Sequence, residues 1–499
     1  MDKEKDLIDL INGWIERGQD QYKNKLKNVK FSRSPYLTIR KILDNYLTTG
    51  KSQIQFFIMP GLKGVGKTTL LLEGYRYLLE TKKIPSRDVV LVDVNRLAEG
   101  YNSNLFEFFA IFEKHILKQS YESLKKPIFF LIDEAHYDPK WDQATKVLAE
   151  RSNKVFFVIT GSSALRLASS DVERRSNVQL IFPLNFQEYA MIKYGIFTPT
   201  KLNTSQYIRK ALFELDINKS EEILKMVWKR LKEDFIPKFN NKIDKEIKDF
   251  LTTGGFPFTL LGFDSKYRAA DALVRSIDKV VLDDIYPLMP AIQSQSARRY
   301  FAILHCLIKS LGSPNSKENI YESLKPLINL RKRDSKLISS TSVVHNIIDN
   351  LTKTRIIFPV KPFSAEEKNA NYAWKYYFAT STVVSSILID MGKFDEEDTT
   401  MWGKILENEV AAILEKNRYL NYVNKFDFDY REGSADFIIC TKSEKRILEV
   451  SNSKNKDDGQ VVNTMLWTKA KFGAIIGDYE EVYIKNNVLH IPKLLILLI

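Results

Sequence analysis

Lys67 and Thr68, preceded by Gly61, Gly64 and Gly66 in the run Pro60-Gly61-Leu62-Lys63-Gly64-Val65-Gly66-Lys67-Thr68-Thr69, are the residues whose types and spacing speak first of chemistry. The spacing is G-x-x-x-x-G-K-T, and its use is to hold a polyphosphate. Glycines at these positions let the backbone curl with its N–H groups inward around a phosphate that meets no Cβ. Lys67 would neutralise the β and γ phosphates of ATP, and Thr68 would offer its hydroxyl to Mg²⁺. A helix opening there would point the positive end of its dipole at the ligand. The expected nucleotide-binding set is Gly61, Gly64, Val65, Gly66, Lys67, Thr68 and Thr69. The apolar run Ile54 to Met59 reads as the strand before the loop and Leu70-Leu71-Leu72 as the helix after it, the context such a loop requires.

A second reactive group closes another apolar run, Pro127-Ile128-Phe129-Phe130-Leu131-Ile132-Asp133-Glu134. An acid at the carboxyl end of a buried parallel strand would sit beside the nucleotide, so Asp133 is expected to hold the Mg²⁺ shell. Glu134, one residue further on, would polarise a water for attack on the γ phosphate. The second acid points away from P-loop kinases and GTPases and toward hydrolysing ATPases with an added central strand. Asp133-Glu134-Ala135-His136 also spells a helicase box, but no companion helicase motif follows, and His136 reads as structural.

The next strand, Val155 to Ile159, runs into Thr160-Gly161-Ser162-Ser163. A polar residue at the tip of a strand lying between the phosphate loop and the paired acids would reach the γ phosphate, and Ser162 is assigned that sensor role. Arg175, or else Arg174, precedes the strand expected over Val178 to Leu184. From there a guanidinium could steady transition-state charge in its own or a neighbouring subunit, which leaves a homo-oligomer open; a surface arginine is the other reading.

The elements that must position these groups belong to a long chain. Its 499 residues exceed what one core organises, and 44% hydrophobic with 12% aromatic content makes it globular throughout. Lysine and arginine number 75 against 62 acids, a net charge of +13, which suits a polyanionic partner such as DNA and equally a solvated basic surface. The two cysteines, Cys306 and Cys440, are far apart, which argues for a reducing compartment and against a disulfide framework or a zinc site. The five histidines, His115, His136, His305, His345 and His490, show no metal-pair spacing. With no secretory leader and no apolar stretch of about 20 residues, a cytoplasmic protein without a membrane partner is expected.

Helices are predicted over Lys5 to Arg17 and Ile39 to Leu47, flanking a lysine-rich run. Amphipathic stretches at Ser220 to Phe235 and Lys238 to Leu251 read as part of a helical lid. Residues 297–360 have the layout of a winged helix. In its third helix Val343, Ile347, Ile348 and Leu351 are expected to face the core, while Ser342, His345, Asn346, Asp349 and Asn350 face outward, toward a DNA groove or a neighbouring domain. Arg331-Lys332-Arg333, just ahead of that helix, is the stronger phosphate candidate.

Residues 31–290 resemble the AAA+ ATPases of prokaryotes, archaea above all, that join an ATPase to a carboxyl-terminal domain like restriction endonucleases. The residues that carry the resemblance are Ser32-Arg33-Ser34-Pro35-Tyr36, the P-loop, Leu131-Ile132-Asp133-Glu134, Thr160-Gly161-Ser162-Ser163-Ala164-Leu165, Arg174-Arg175, Phe182-Pro183-Leu184-Asn185-Phe186-Gln187-Glu188-Tyr189 and Gly254-Gly255-Phe256-Pro257. The family usually has Gly-Arg where Arg174-Arg175 stands. From Trp402 onward the order helix, three strands, helix, strand resembles the PD-(D/E)XK nuclease core. That resemblance implies a second metal site of Asp436 and Glu449 with Glu407 from the helix. Where the family has a lysine two residues after the second acid, this chain has Ser451, with Lys454 as the nearest substitute.

The expected fold is therefore α/β: a P-loop NTPase core with a parallel sheet over residues 1–198, a helical lid over 199–295, a winged helix over 296–365, a connecting segment over 366–400 and an α/β endonuclease-like domain over 401–499. The expected activity is Mg²⁺-dependent ATP hydrolysis acting on, or regulated by, DNA. A nucleotide-controlled switch or scaffold for a protein partner, and an ATP-gated metal-dependent DNA nuclease, are the alternatives.

Overall fold

The computed structural model describes residues 3–49, 54–161, 176–199, 203–240, 242–281, 296–329, 341–363, 373–453 and 456–499. The chain divides into two compact units, Met1–Phe182 and Pro183–Ile499.

In the first unit, α1 (Lys3–Leu26) and α2 (Ser34–Thr49) precede β1 (Phe56–Pro60), α3 (Lys67–Arg76), β2 (Val89–Asp93), α4 (Leu105–Ile111), β3 (Ile128–Asp133), α5 (Trp141–Arg151), β4 (Val155–Gly161) and β5 (Ser176–Val178). The strands form one parallel sheet in the order β2-β3-β4-β1-β5. Their apolar runs are unbroken because both faces are covered. On one face Phe56, Ile58, Val90, Val92, Phe130, Ile132, Phe157 and Ile159 pack with Leu10, Ile11 and Trp14 of α1 and with Phe108 and Phe109 of α4. On the other, Tyr46 of α2 meets the rings of Phe129 and Phe156. The first helix runs nine residues past the predicted Arg17, through Lys23 and Lys25, which stay exposed.

The order places β4 between the strand that feeds the phosphate loop and the strand that ends in the acids, the arrangement expected from the sequence. Asp93 pairs with Asp133 and Met59 with Thr160, so the tips of four strands line up along one edge. This is the doubly covered parallel α/β core of a P-loop NTPase.

The second unit begins with α6 (Phe186–Tyr194), α7 (Thr204–Phe213), α8 (Ile217–Asp234), α9 (Ile243–Thr253), α10 (Pro257–Leu261) and α11 (Lys266–Lys279). Asn185 caps α6 by accepting the Glu188 amide at 2.9 Å, and the Tyr189 hydroxyl donates to Glu246 Oε2 at 2.7 Å. Phe186 packs among Phe235, Phe239 and Phe250. Next come α12 (Ser296–Lys309), α13 (Lys317–Asn329), α14 (Thr341–Lys353) and the antiparallel pair β6 (Ile357–Val360) and β7 (Lys375–Phe378). On α14 the register of burial differs from that predicted: Val344 rather than Val343 is fully buried. Asn350, expected to face outward, is buried too and donates to the Tyr300 hydroxyl at 3.2 Å. A polar side chain with a partner inside the unit is cheap to bury, which periodicity in residue type does not register.

After α15 (Ser381–Asp390) and α16 (Thr399–Tyr419), a six-stranded mixed sheet is built from β8 (Lys425–Asp427), β9 (Phe437–Cys440), β10 (Lys445–Val450), β11 (Phe472–Gly477), β12 (Tyr483–Lys485) and β13 (Val488–Pro492). The spatial order is β12-β13-β11-β10-β9-β8, with α17 (Gly459–Thr468) crossing between β10 and β11. The apolar last residues form α18 (Lys493–Leu497), with Leu494 to Ile499 buried. Among the described residues no helix is long and apolar enough to cross a membrane.

Candidate functional site

The phosphate loop lies between β1 and α3. Gly64 and Gly66 hold φ values of 89° and 94°, the left-handed region in which a side chain is strained, and Gly66 opens α3 from that conformation. Gly61 is needed for a different reason: a Cβ there would come 2.6 Å from the Ile181 carbonyl oxygen. Lys67 is only 4% exposed, and its Nζ donates to the carbonyls of Gly61 at 3.0 Å and Leu62 at 3.1 Å, so the ammonium lies across the mouth of the loop. Val65 is fully buried beneath it.

Thr68 Oγ1 donates to Asp133 Oδ1 at 3.1 Å, which joins the first turn of α3 to the tip of β3. Two hard oxygen donors in contact suit a Mg²⁺ ion, which takes one or two protein oxygens and completes its shell with phosphate and water. Thr160, fully buried at the tip of β4, donates to the same Asp133 Oδ1 at 2.5 Å and accepts the Glu134 amide at 3.0 Å. Burial, and then the adjacent Glu134 charge, push the Asp133 carboxyl up from its ordinary value. Glu134 itself sits at φ 55°, a left-handed conformation rare outside glycine, and its Oε2 lies 3.2 Å from Nδ1 of the buried His136. Both acids border an open cleft of about 560 Å³ whose other walls are Asp93, Asn95, Arg96, Glu99 and Gly100, from the end of β2.

Three residues the sequence reading left without a role act on this site. Thr160 was legible as the last polar residue of its strand. His136 stood two residues from Glu134, but its contact depends on the left-handed turn. Arg33 is buried, with Nη1 donating to the Val65 carbonyl at 2.6 Å and Nη2 to the Phe182 carbonyl at 3.0 Å. It ties the phosphate loop to the chain beyond the last core strand, across a sequence separation no local pattern shows. The assigned Ser162, Arg174 and Arg175 lie outside the described residues, as do Lys454 and Arg331-Lys332-Arg333.

Residues 53–190 match the family model described as an AAA domain. The AAA domain thus spans the loop, the paired acids and the whole parallel sheet. An uncharacterized protein of Methanocaldococcus jannaschii is 27% identical over 483 residues, covering 93% of this chain and 89% of its own. Among solved structures, the ORC2 protein of Aeropyrum pernix aligns with 72% of this chain and 93% of its own at 11% identity and a TM-score of 0.34. A DNA polymerase III gamma subunit-related protein of Thermotoga maritima aligns with 64% of this chain and 99% of its own, at 14% identity and a TM-score of 0.25.

Beyond the AAA domain, the structure brings the three carboxyl-terminal acids into one neighbourhood. Asp436 Oδ2 accepts the Val450 amide at 2.8 Å, and Glu449 Oε2 accepts the Asp436 amide at 3.1 Å. Burial, then the Glu407 and Glu449 charges, hold the Asp436 carboxyl well above its ordinary value; burial also raises Glu449. Each acid is occupied by a protein donor. Glu407 accepts from the buried Tyr377 hydroxyl at 2.6 Å, with Lys375 Nζ 3.5 Å away, and Glu449 pairs with Lys456 Nζ at 2.8 Å. Among the described residues no three His, Cys, Asp or Glu side chains are grouped to hold a metal ion. Glu407, Asp436 and Glu449 thus lie near enough for their charges to act on one another, each already held by a protein donor.

Proposed function

We propose that this chain is a Mg²⁺-dependent ATPase whose hydrolysis is coupled to DNA. The observation that carries the proposal is the linkage of Thr68, Asp133, Thr160 and the Glu134 backbone through three hydrogen bonds beside a buried Lys67. The loop amides of Gly61, Gly64, Val65 and Gly66 with Lys67, Thr68 and Thr69 would bind the phosphates. Thr68 and Asp133 would hold Mg²⁺, which would supply positive charge against the phosphates. Glu134 would take the proton of the attacking water, Ser162 would sense the γ phosphate, and Arg175 or Arg174 would steady the developing charge, in a homo-oligomer from the next subunit. In this reading residues 199–295 serve as the lid, 296–365 as a winged helix, and 401–499 as an endonuclease-like module that holds DNA. Support for the DNA link is the net charge of +13 and the helix-helix-helix-strand-strand order of α12 to β7.

The test is the ATPase rate of wild type and Glu134→Gln with and without single-stranded, duplex and branched DNA, alongside nucleotide binding. The expected result is DNA-dependent turnover in wild type and a loss of about 100-fold or more in Glu134→Gln, with nucleotide binding retained. Wild-type turnover by Glu134→Gln would remove the base assignment. A wild-type rate that no DNA alters would leave the nucleotide-controlled switch as the better reading.

A further inference from the structure

Where β8 closes one edge of the six-stranded sheet, an exposed indole, a half-buried phenyl ring and exposed cations are interleaved. The segment Lys361–Phe363 runs alongside Phe428, whose amide donates to the Lys361 carbonyl at 3.0 Å and whose carbonyl accepts the Phe363 amide at 2.7 Å. This sets the Phe363 ring edge-on against Trp467 of α17, with centroids 5.6 Å apart. Trp467 is 41% exposed. The Arg431 guanidinium lies 3.7 Å from the centre of the indole, fixed there by Asp429, whose Oδ2 accepts from Nη2 at 2.6 Å and from Nε at 3.0 Å. The ammonium groups of Lys425 and Lys445 stand 5.7 Å and 5.1 Å from the Phe363 ring.

A tryptophan left half in water beside a phenylalanine forgoes burial that α17 could have provided by turning a different residue outward. The cations over these rings argue against an apolar partner, since docking one would strip water from several charges at once. Two of the cations are offset by acids, Lys425 by Asp427 at 2.8 Å and Arg431 by Asp429. Among the described residues Lys445 donates to the Thr468 carbonyl, at 3.2 Å, and is paired with no acid, and Lys361 stays exposed, so the face keeps positive charge.

We infer that this edge binds single-stranded nucleic acid. Unpaired bases stack on Trp467 and on the outer plane of the Arg431 guanidinium, and the phosphates run along Lys361, Lys425 and Lys445. A duplex keeps its base planes stacked on one another, so rings on a protein surface gain nothing from it; a site for phosphate alone needs no rings. The inference names the strandedness of the ligand and the surface that takes it. It rests on the DNA-coupled reading above only for the class of partner and uses nothing of the ATP site.

The experiment is fluorescence anisotropy of labelled oligothymidylate, oligouridylate and a duplex of matched length, titrated with the full chain without nucleotide. Wild type should bind both single strands more tightly than duplex. Trp467→Ala should weaken single-strand binding about ten-fold and duplex binding little, while Trp467→Phe keeps most of the affinity. Lys445→Gln should lower the slope of log Kd against log salt by roughly 0.7. Unaltered single-strand affinity in Trp467→Ala, with circular dichroism like wild type, would overturn the inference, as would an equal loss on duplex. If wild type binds no nucleic acid at all, the DNA-coupled reading falls with it; if binding persists without Trp467, only the placement falls.

Discussion

Thr160 makes the contact on which the paired acids depend. Its hydroxyl has one proton, spent on Asp133 Oδ1 at 2.5 Å, and its lone pair receives the Glu134 amide at 3.0 Å. One side chain therefore fixes both Asp133, the proposed metal-facing acid, and the backbone turn at Glu134, the proposed base. Glu134 at φ 55° carries a conformational cost that this hydrogen bond offsets. Thr160→Val keeps the shape and removes both bonds. The expected outcome is a fall in kcat of about ten-fold or more, from roughly 1–3 kcal/mol of lost positioning, with the Kd for ATP within a few-fold of wild type. Single-turnover hydrolysis and equilibrium nucleotide binding on the same preparation check it, and an unchanged kcat would reduce Thr160 to a packing residue. The distinction matters because, in the proposed reading, Lys67, Thr68 and the loop amides would bind the ground state, whereas Thr160 would act through groups engaged when the γ phosphate is attacked.

At the scale of elements, a single buried arginine joins parts of the second unit that are far apart in sequence. Arg446 on β10 is 1% exposed. Its Nη1 donates to the Leu212 carbonyl at 3.1 Å and its Nη2 to the Leu215 carbonyl at 2.7 Å, within and beyond the last turn of α7, while Glu444 pairs with it at 2.6 Å. A cation at the carboxyl end of a helix meets both its unsatisfied carbonyls and the negative end of its dipole. Arg446→Met keeps the stem and strands those carbonyls. Stability should fall by about 3 kcal/mol, read as a lower denaturant midpoint at unchanged slope. Nothing in the letters Lys445-Arg446-Ile447-Leu448-Glu449-Val450 shows this; the run reads as a strand with a charged start. That contrast describes how much of the molecule was legible. The β1 to β4 strands could be read because both their faces are buried, which writes an unbroken apolar run, and the phosphate loop because its glycines are forced by backbone geometry. Asn185, Phe186, Glu188 and Tyr189 could be recognised as a string, but their reasons, a helix cap and an aromatic cluster closed by Glu246, appear only in three dimensions. Lys456 was beyond reading in the same way: it pairs with Glu449 from seven positions downstream, where the resemblance had pointed to the residue two positions on, with Lys454 as the nearest substitute.

At the scale of the whole molecule, the question is whether ATP and nucleic acid are linked. Thermodynamics constrains the answer without reference to any route between the sites. If nucleic acid binding alters affinity for ATP by some factor, ATP must alter affinity for nucleic acid by the same factor. Turnover rates obey no such symmetry, so the comparison has to be made on a chain that binds and does not hydrolyse, which Glu134→Gln is expected to supply. The expected coupling is about 5- to 150-fold, the usual range for linked sites. ATP affinity would be measured with and without saturating oligothymidylate, and oligothymidylate affinity with and without saturating ATP, at one fixed salt concentration, since every lysine contact to phosphate makes the second pair of numbers salt-dependent. Equal ratios well above one would establish coupling between the two ligands in this chain. Ratios of one in both directions would mean that ATP is hydrolysed for a purpose that nucleic acid does not sense, and the basic, ring-bearing edge at Trp467 would then be a tether rather than a trigger.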